Sequence, residues 1–340
     1  MTIKEVARLA DVSPAAVSRY LNGGPLSKEK KERIARAIEE TGYRPNLVAK
    51  TMRTGKISQI GIIVPRIFSE SVNQIMDGIA EELLKRDYLT LLGYADTRQD
   101  RETQYLEMMQ SNRVAGIILM GTTLSDIKKI SLERCTLPIV ITGQRYDGFC
   151  CVYSDDRNGV RDMTSRMIQK GRKRFAYIGV LEEDAAAGLM RREGFHEALR
   201  EAGMETENVP LKIAEFTAES GYKAMTELLE EHPDLDAVMC ATDIIAHGAM
   251  KALKERGKRI PDDVSIAGVG DNWADLVSDP ALSTVKLQQR QCGIEAARML
   301  LKLIDIKSGE AEESAEPEAA AGSTDRHIML GYQIIERESI

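Results

Sequence analysis

Two regimes of hydrophobic spacing divide this chain. At the start, apolar residues fall at helical intervals, with Ile3, Val6, Ala7 and Ala10 on one face. The spacing predicts a helix from Ile3 to Ala10 and a turn at Asp11-Val12. Ser13 is a strong N-cap, and Pro14 sits at the first helical position, where its missing N–H costs nothing. The second helix is read with Ala15, Ala16, Ser18 and Arg19 outward and Val17 and Leu21 inward, ending at Asn22-Gly23-Gly24-Pro25. Ser27 then caps a third helix, Lys28 to Thr41, which Gly42 stops.

From Ile57 the pattern becomes short apolar strands separated by amphipathic helices. Strands are predicted at Gln59–Val64, Tyr88–Leu92, Val114–Met120 and Pro138–Thr142, with helices such as Ser71–Arg86 and Asp100–Ser111 between them. After Asp155 the rhythm repeats. Strands follow at Phe175–Val180, Leu211–Ala214, Asp236–Cys240, Val264–Val269 and Ser283–Leu287, with helices at Gly188–Ala202 and Ala218–Glu231. A helix Gln291–Ile306 and a single final strand His327–Glu336 close the pattern. Alternating β and α elements imply parallel sheets with right-handed crossovers. Two such sets imply two α/β lobes with a cleft between them, behind an all-α head. The expected divisions are a head at 1–44, a linker at 45–56, a first lobe at 57–157 with 288–306, and a second at 158–287 with 326–340. The acidic, Ala-rich stretch 309–324 is expected to be a disordered surface loop.

Charge sharpens this division. Residues 1–56 hold 12 Lys and Arg against 6 Asp and Glu, a net +6, so the rest of a chain of net charge −7 carries −13. A basic head on an acidic body fits a phosphate-binding module attached to a domain that should not adhere to nucleic acid. No apolar run is long enough to span a bilayer, and five cysteines without CxxC spacing read as small core residues in a reducing cytoplasm. Gly268-Val-Gly270 is a GxG at a strand end, but Asp271 follows at once and no third glycine completes a pyrophosphate loop. His196 and His247 have no metal-ligand spacing, and no Ser-His-Asp set or paired carboxylates stand out. Neither enzymatic activity nor a cofactor or metal is expected.

Taken in order, a series of motifs resembles the lactose/galactose-repressor family of bacterial transcription regulators. They are Thr2-Ile-Lys-Glu-Val-Ala7, Val12-Ser13 with Val17-Ser18-Arg19 and Leu21-Asn22, Gly42-Tyr43 with Pro45-Asn46, Gly61-Ile-Ile-Val64, Gly116-Ile-Ile118, Arg191 with Gly194-Phe195, Ala241-Thr-Asp243, Pro261 with Asp263-Val-Ser-Ile266 and Gly268, and Pro280 with Leu282-Ser-Thr-Val285. The resemblance covers essentially the whole chain. It implies a helix-turn-helix head and a core of two Rossmann-like sheets in the manner of periplasmic binding proteins. It also implies a homodimer on a pseudo-palindromic operator in double-stranded DNA, with no membrane partner.

The resemblance places the second helix in the major groove, with Pro14, Ala15 and Arg19 at base edges. Arg19 can fork onto guanine, and the two apolar residues suit a thymine methyl. Thr2, Ser13, Ser18 and Asn22 then position phosphates. Residues 45–53 resemble a hinge helix that folds on the operator, involving Asn46, Ala49 and Lys50, with Met52 as the apolar wedge into the minor groove. The cleft is expected to hold a small sugar or sugar phosphate through Ser71, Gln144, Arg145, Ala187, Arg191, Phe216, Thr242 and Asp271. Arg191 and Asp271 resemble a pair that grips ligand hydroxyls, and Phe216 resembles an aromatic platform. Regulators of sucrose or fructoside operons are the nearest subgroup by this reading. A catabolite-control regulator answering a phosphoprotein, and a solute-binding receptor, are the alternatives.

Overall fold

The computed structural model describes residues 2–21, 24–43, 59–96, 98–121, 126–309 and 326–340. The chain forms two compact units, Met1–Ser58 and Gln59–Ile340.

In the first unit, helices α1 (Ile3–Leu9), α2 (Pro14–Leu21) and α3 (Lys28–Thr41) enclose a small core. Val6, Val17 and Ile34, one from each helix, are wholly buried there. Thr2 caps α1 through a reciprocal box with Glu5, and Gly42 ends α3 in the left-handed region at φ 60°. Arg33 of α3 donates to the carbonyl of Asp11 at 2.7 Å, which braces the turn between α1 and α2. Ala16, expected to face outward, is buried. Its place one turn before Tyr20 puts it under the packing of α2 on its neighbours.

The second unit has two six-stranded sheets. The first runs β11-β5-β4-β3-β1-β2, with β1 Gln59–Val64, β2 Leu89–Tyr94, β3 Gly116–Met120, β4 Ile139–Thr142, β5 Cys150–Ser154 and β11 His327–Leu330, every pairing parallel. The second runs β12-β10-β9-β8-β6-β7, with β6 Phe175–Gly179, β7 Leu211–Ile213, β8 Ala237–Cys240, β9 Ser265–Val269, β10 Ser283–Leu287 and β12 Tyr332–Ile335. Only β12 is antiparallel to its neighbour. Successive residues of one strand serve opposite cores. Ile62 packs with the helices Glu70–Leu84 and Gln289–Ser308, while Ile63 packs with Leu106 and Met109 of the helix Gln99–Ser111. Strands covered on both faces read as unbroken apolar runs, as these do. The helices Glu70–Leu84 and Gln289–Ser308 meet backbone to backbone. A Cβ on Gly78 would lie 2.1 Å from the carbonyl oxygen of Arg290, so only glycine allows that approach.

Two expectations are corrected. The final strand is not one element of the second lobe. Gly331 divides it, and His327–Leu330 pairs with β5 of the first sheet while Tyr332–Ile335 pairs with β10 of the second. Residues 326–330 therefore belong to the first lobe. The predicted helix from Gly188 begins instead as a π-turn, Ala185–Met190, and becomes α-helical at Arg191–Glu201. The chain passes between the lobes near Asp155, Gln288 and Gly331. Asp155 N–H donates to the Leu330 carbonyl at 2.9 Å, tying two of these crossings together. The stretch 310–325 and the linker 44–58 lie outside the described residues.

Candidate functional site

Within the head, the exposed start of α2 is a small platform. Pro14, Ala15 and Arg19 are exposed and Ser18 is half-buried. Ser13 fixes the start of the helix, its hydroxyl accepting the N–H of Ala16 at 3.2 Å. Thr2 caps α1 nearby in sequence. Of the other residues expected in this role, Asn22, Asn46, Ala49, Lys50 and Met52 lie outside the described residues.

In the second unit, a cavity of about 370 Å³ opens where the C-terminal ends of the strands of both lobes converge. Parallel strands direct their following loops to that end, which is where open α/β sheets carry ligands. Ser71, Gln144, Ala187, Arg191, Phe216 and Thr242 line it, six of the eight residues expected. Arg145 does not. It is exposed and pairs with Asp147 at 3.1 Å.

Arg191 is held rigidly. Its Nε donates to Asp156 Oδ1 at 2.7 Å and its Nη1 to the Ala241 carbonyl at 2.5 Å, with both partners of the ion pair buried. Burial pushes the Asp156 carboxyl above its ordinary value, against the pull of Arg191. The guanidinium keeps its proton here, so Arg191 is cationic. Two contacts join the lobes across the cavity. Gln144 Nε2 donates to Asp184 Oδ1 at 3.0 Å, and Gln144 Oε1 accepts from the Tyr146 hydroxyl at 3.0 Å. Asp184 also caps the π-turn by accepting the Ala187 N–H at 3.0 Å. The second contact is the guanidinium of Arg66, 3.5 Å from the centre of the Phe216 ring.

Asp271 is the second correction to the expected site, because it does not line the cavity. Gly270 and Asp271 take φ of 153° and 58°, and the Asp271 N–H donates to Asp243 Oδ2 at 2.7 Å. The turn sends the Asp271 side chain to Arg337 and to Lys286 Nζ at 2.9 Å. Partial burial opposes ionisation of Asp271, but these two cations prevail and lower its pKa. Asp243 behaves oppositely. It is buried beneath the cavity, the Thr284 hydroxyl lies 2.6 Å from its Oδ1, and burial next to Asp275 pushes its carboxyl well above the ordinary range. Gly268 and Gly270 make room for it, since a Cβ on either would fall 2.3 or 2.5 Å from its oxygens. That is why the GxG stands at this strand end.

Sequence reasoning passed over several lining residues. Arg66 and Thr142 follow or end strands β1 and β4, and Gln289 opens a helix. Position just after a strand's C-terminal end is the signal that marks Arg66. Phe68 and Trp273, fully and 71% exposed, add two aromatic surfaces at the opening. His247 also lines the cavity, its Nε2 2.7 Å from Asp275 Oδ1. Among the described residues no cluster could hold a metal ion, and no helix is long and apolar enough to cross a membrane.

Comparison with known proteins agrees with this layout. The family model described as bacterial regulatory proteins, lacI family, matches residues 2–46, and the periplasmic binding protein-like domain matches residues 164–340. The regulator RegA of Clostridium saccharobutylicum is 33% identical over 99% of this chain and 98% of its own length. A solved transcriptional regulator CelR–cellobiose complex superposes with a TM-score of 0.73 at 28% identity, covering all of both chains. The lac repressor bound to ONPG in its repressed state gives a TM-score of 0.86 at 21% identity over 100% of this chain and 99% of that one, a likeness of fold.

Proposed function

The chain belongs to the lacI family of bacterial regulatory proteins, and on that footing we propose that it represses a carbohydrate-utilisation operon in the cytoplasm. It binds a pseudo-palindromic operator as a homodimer and answers a small sugar or sugar phosphate in the interlobe cleft. It acts by linkage and not by catalysis. A cleft ligand changes operator affinity only through contacts that differ between lobe arrangements. The observation that carries this reading is the pair of contacts across the cleft, Gln144 with Asp184 and Arg66 with Phe216, which a bound ligand must share or replace. Three aromatic residues at one opening suit the apolar face of a pyranose, and the CelR structure with cellobiose is a relative holding such a ring.

The roles in the head are those the family resemblance implies, and the exposure of Pro14, Ala15 and Arg19 is compatible with them. Arg19 faces guanine, Pro14 and Ala15 contact thymine methyls, and Ser13, Ser18 and Thr2 set the phosphates. For the homodimer, Leu84, Leu89 and Leu92 form an exposed apolar margin along the first lobe's outer strand and the helix before it. A thermal-shift screen of sugars on the full chain, followed by operator titration with and without each hit, tests the reading. Repression requires a specific operator and a hit that alters its affinity. Operator binding indifferent to every ligand that stabilises the core would overturn it.

A further inference from the structure

Arg66 leaves β1 just after Pro65 and lines the cleft from the first lobe. Phe216, against which its guanidinium lies, comes from the second. The charged groups around it are engaged elsewhere. Arg191 is locked to Asp156. Asp184 gives Oδ1 to Gln144 and to the Ala187 N–H. Asp243 accepts the Thr284 hydroxyl and the Asp271 N–H, and Asp275 faces His247 and the Asn272 N–H. Glu70, at the lip, accepts the amide of Gln74 at 3.3 Å. Among the described residues, no carboxylate reaches ion-pair distance of Arg66 and no acceptor meets its N–H groups.

Burial lowers the pKa of this guanidinium below its ordinary value, and Arg191 adds to the effect against the pull of Asp184. A cation in that condition gains most from an anion brought to it. Its face is taken by the ring, so its donors point outward in the guanidinium plane, where a fixed fork matches two oxygens of one oxyacid group. A sugar hydroxyl offers one oxygen and no charge.

We propose that the effector is an anionic sugar, bearing a carboxylate or a phosphate, and that Arg66 reads that group. The proposal deepens the effector-site reading above and depends on it. Lobe closure around such a ligand removes water from the pair and strengthens the attraction, so Arg66 becomes the residue that separates charged from neutral sugars.

The test uses the full chain and matched probes titrated by calorimetry. Glucose, glucose 6-phosphate and glucuronate share one ring, as do galactose, galactose 6-phosphate and galacturonate; cellobiose, sucrose and fructose 6-phosphate complete the set. The expected result is that an anionic member binds at least about 10-fold more tightly than its neutral counterpart, the difference expected for a charged hydrogen-bonded contact. Arg66→Met should bring the ratio of anionic to neutral affinity to within about 3-fold of unity, whatever it does to the absolute affinities, on the scale of one such contact. Which anion binds identifies the phosphate or the carboxylate as the source. Arg66→Lys keeps the charge, loses the fork, and should retain only part of the preference. Thermal melts of each variant confirm that it is folded. A neutral sugar that binds more tightly than its anionic partners overturns the proposal and leaves the effector site standing. Failure of every sugar to bind overturns both.

Discussion

Asp243 accepts the backbone N–H of Asp271 at 2.7 Å, and the Asp271 carboxylate turns away from the cleft to Arg337 and Lys286. One aspartate thus sets the direction of another. The buried one forms the support beneath the cavity, and the one that motif position had assigned to the ligand is an ion-pair partner behind it. Asp271→Ala is therefore expected to leave effector affinity within about 2-fold, because it removes no group facing the ligand; only contacts of the bound state change affinity. Calorimetry with any cleft ligand checks this. A loss beyond 10-fold would mean that Asp271 swings into the cleft on binding.

The upward shift that burial gives the Asp243 carboxyl has a pH signature. Its folded pKa is raised above that of the unfolded chain, so the stability it contributes is complete below the unfolded value and declines as pH rises toward the folded one. Asp243→Asn removes that titration and keeps the shape, with an amide able to donate to Thr284 and a carbonyl able to accept from Asp271. Relative to wild type, the variant should gain stability as pH rises from about 4, near the ordinary carboxylate value, toward 8. Urea melts across that range test it. A difference independent of pH would show the carboxyl to be ionised in the native state.

Much of this architecture was legible from spacing. Strands Gln59–Val64 and Ser283–Leu287 and helices Lys28–Thr41 and Ala218–Glu231 fall where periodicity and caps put them. Each combines a strong pattern with a local stop signal. What was missed depended on partners distant in sequence. The division of the final strand at Gly331 is invisible locally, since both halves alternate alike and only pairing with β5 or β10 separates them. The burial of Ala16 is set by neighbouring helices, and alanine carries little information of its own. For the site, strand ends located the cleft, but the direction of Asp271 depends on a buried partner 28 residues earlier in the chain. Nothing in the local sequence beyond its strand-end position marks Arg66, whose place depends on Phe216 of the other lobe.

Arg191 is an unsuitable first probe of ligand contact, for a reason that is itself testable. Removing it strands Asp156 in a buried site, which costs about 3–5 kcal/mol for a broken buried pair. Arg191→Met should destabilise the core on that scale, whereas Arg191→Met with Asp156→Asn should recover much of the loss. Denaturant midpoints at equal slope are the measurement. Equal instability of the single and double variants would show that packing, and not the uncompensated charge, dominates.

The contact between Gln144 and Asp184 predicts a bias in lobe closure. Gln144→Glu replaces an amide donor with a second carboxylate facing the first, and like charges at hydrogen-bond distance repel. The variant should favour the open arrangement, show a larger radius of gyration in solution scattering, and bind the effector at least about 5-fold more weakly, the scale of a modest population shift. Asp184→Asn in that background restores a hydrogen bond and should reverse both changes. Identical scattering from wild type and Gln144→Glu would remove this contact from the closure equilibrium.

Arg19 stands exposed on α2, while Ser13 fixes the start of the same helix. Substituting the two should therefore fail in different ways. Arg19→Ala removes a donor that can fork onto guanine O6 and N7, so discrimination at one base pair per half-site should fall by about 1–3 kcal/mol. Ser13→Ala unties the Ala16 N–H and should cost about 1 kcal/mol of head stability, weakening all operators alike. Titrating both variants against a set of single-base operator changes, at two salt concentrations, separates the effects. A contact to phosphate alone would give Arg19→Ala a uniform loss across the set and a shallower salt dependence. That outcome would move Arg19 from reading bases to positioning the backbone.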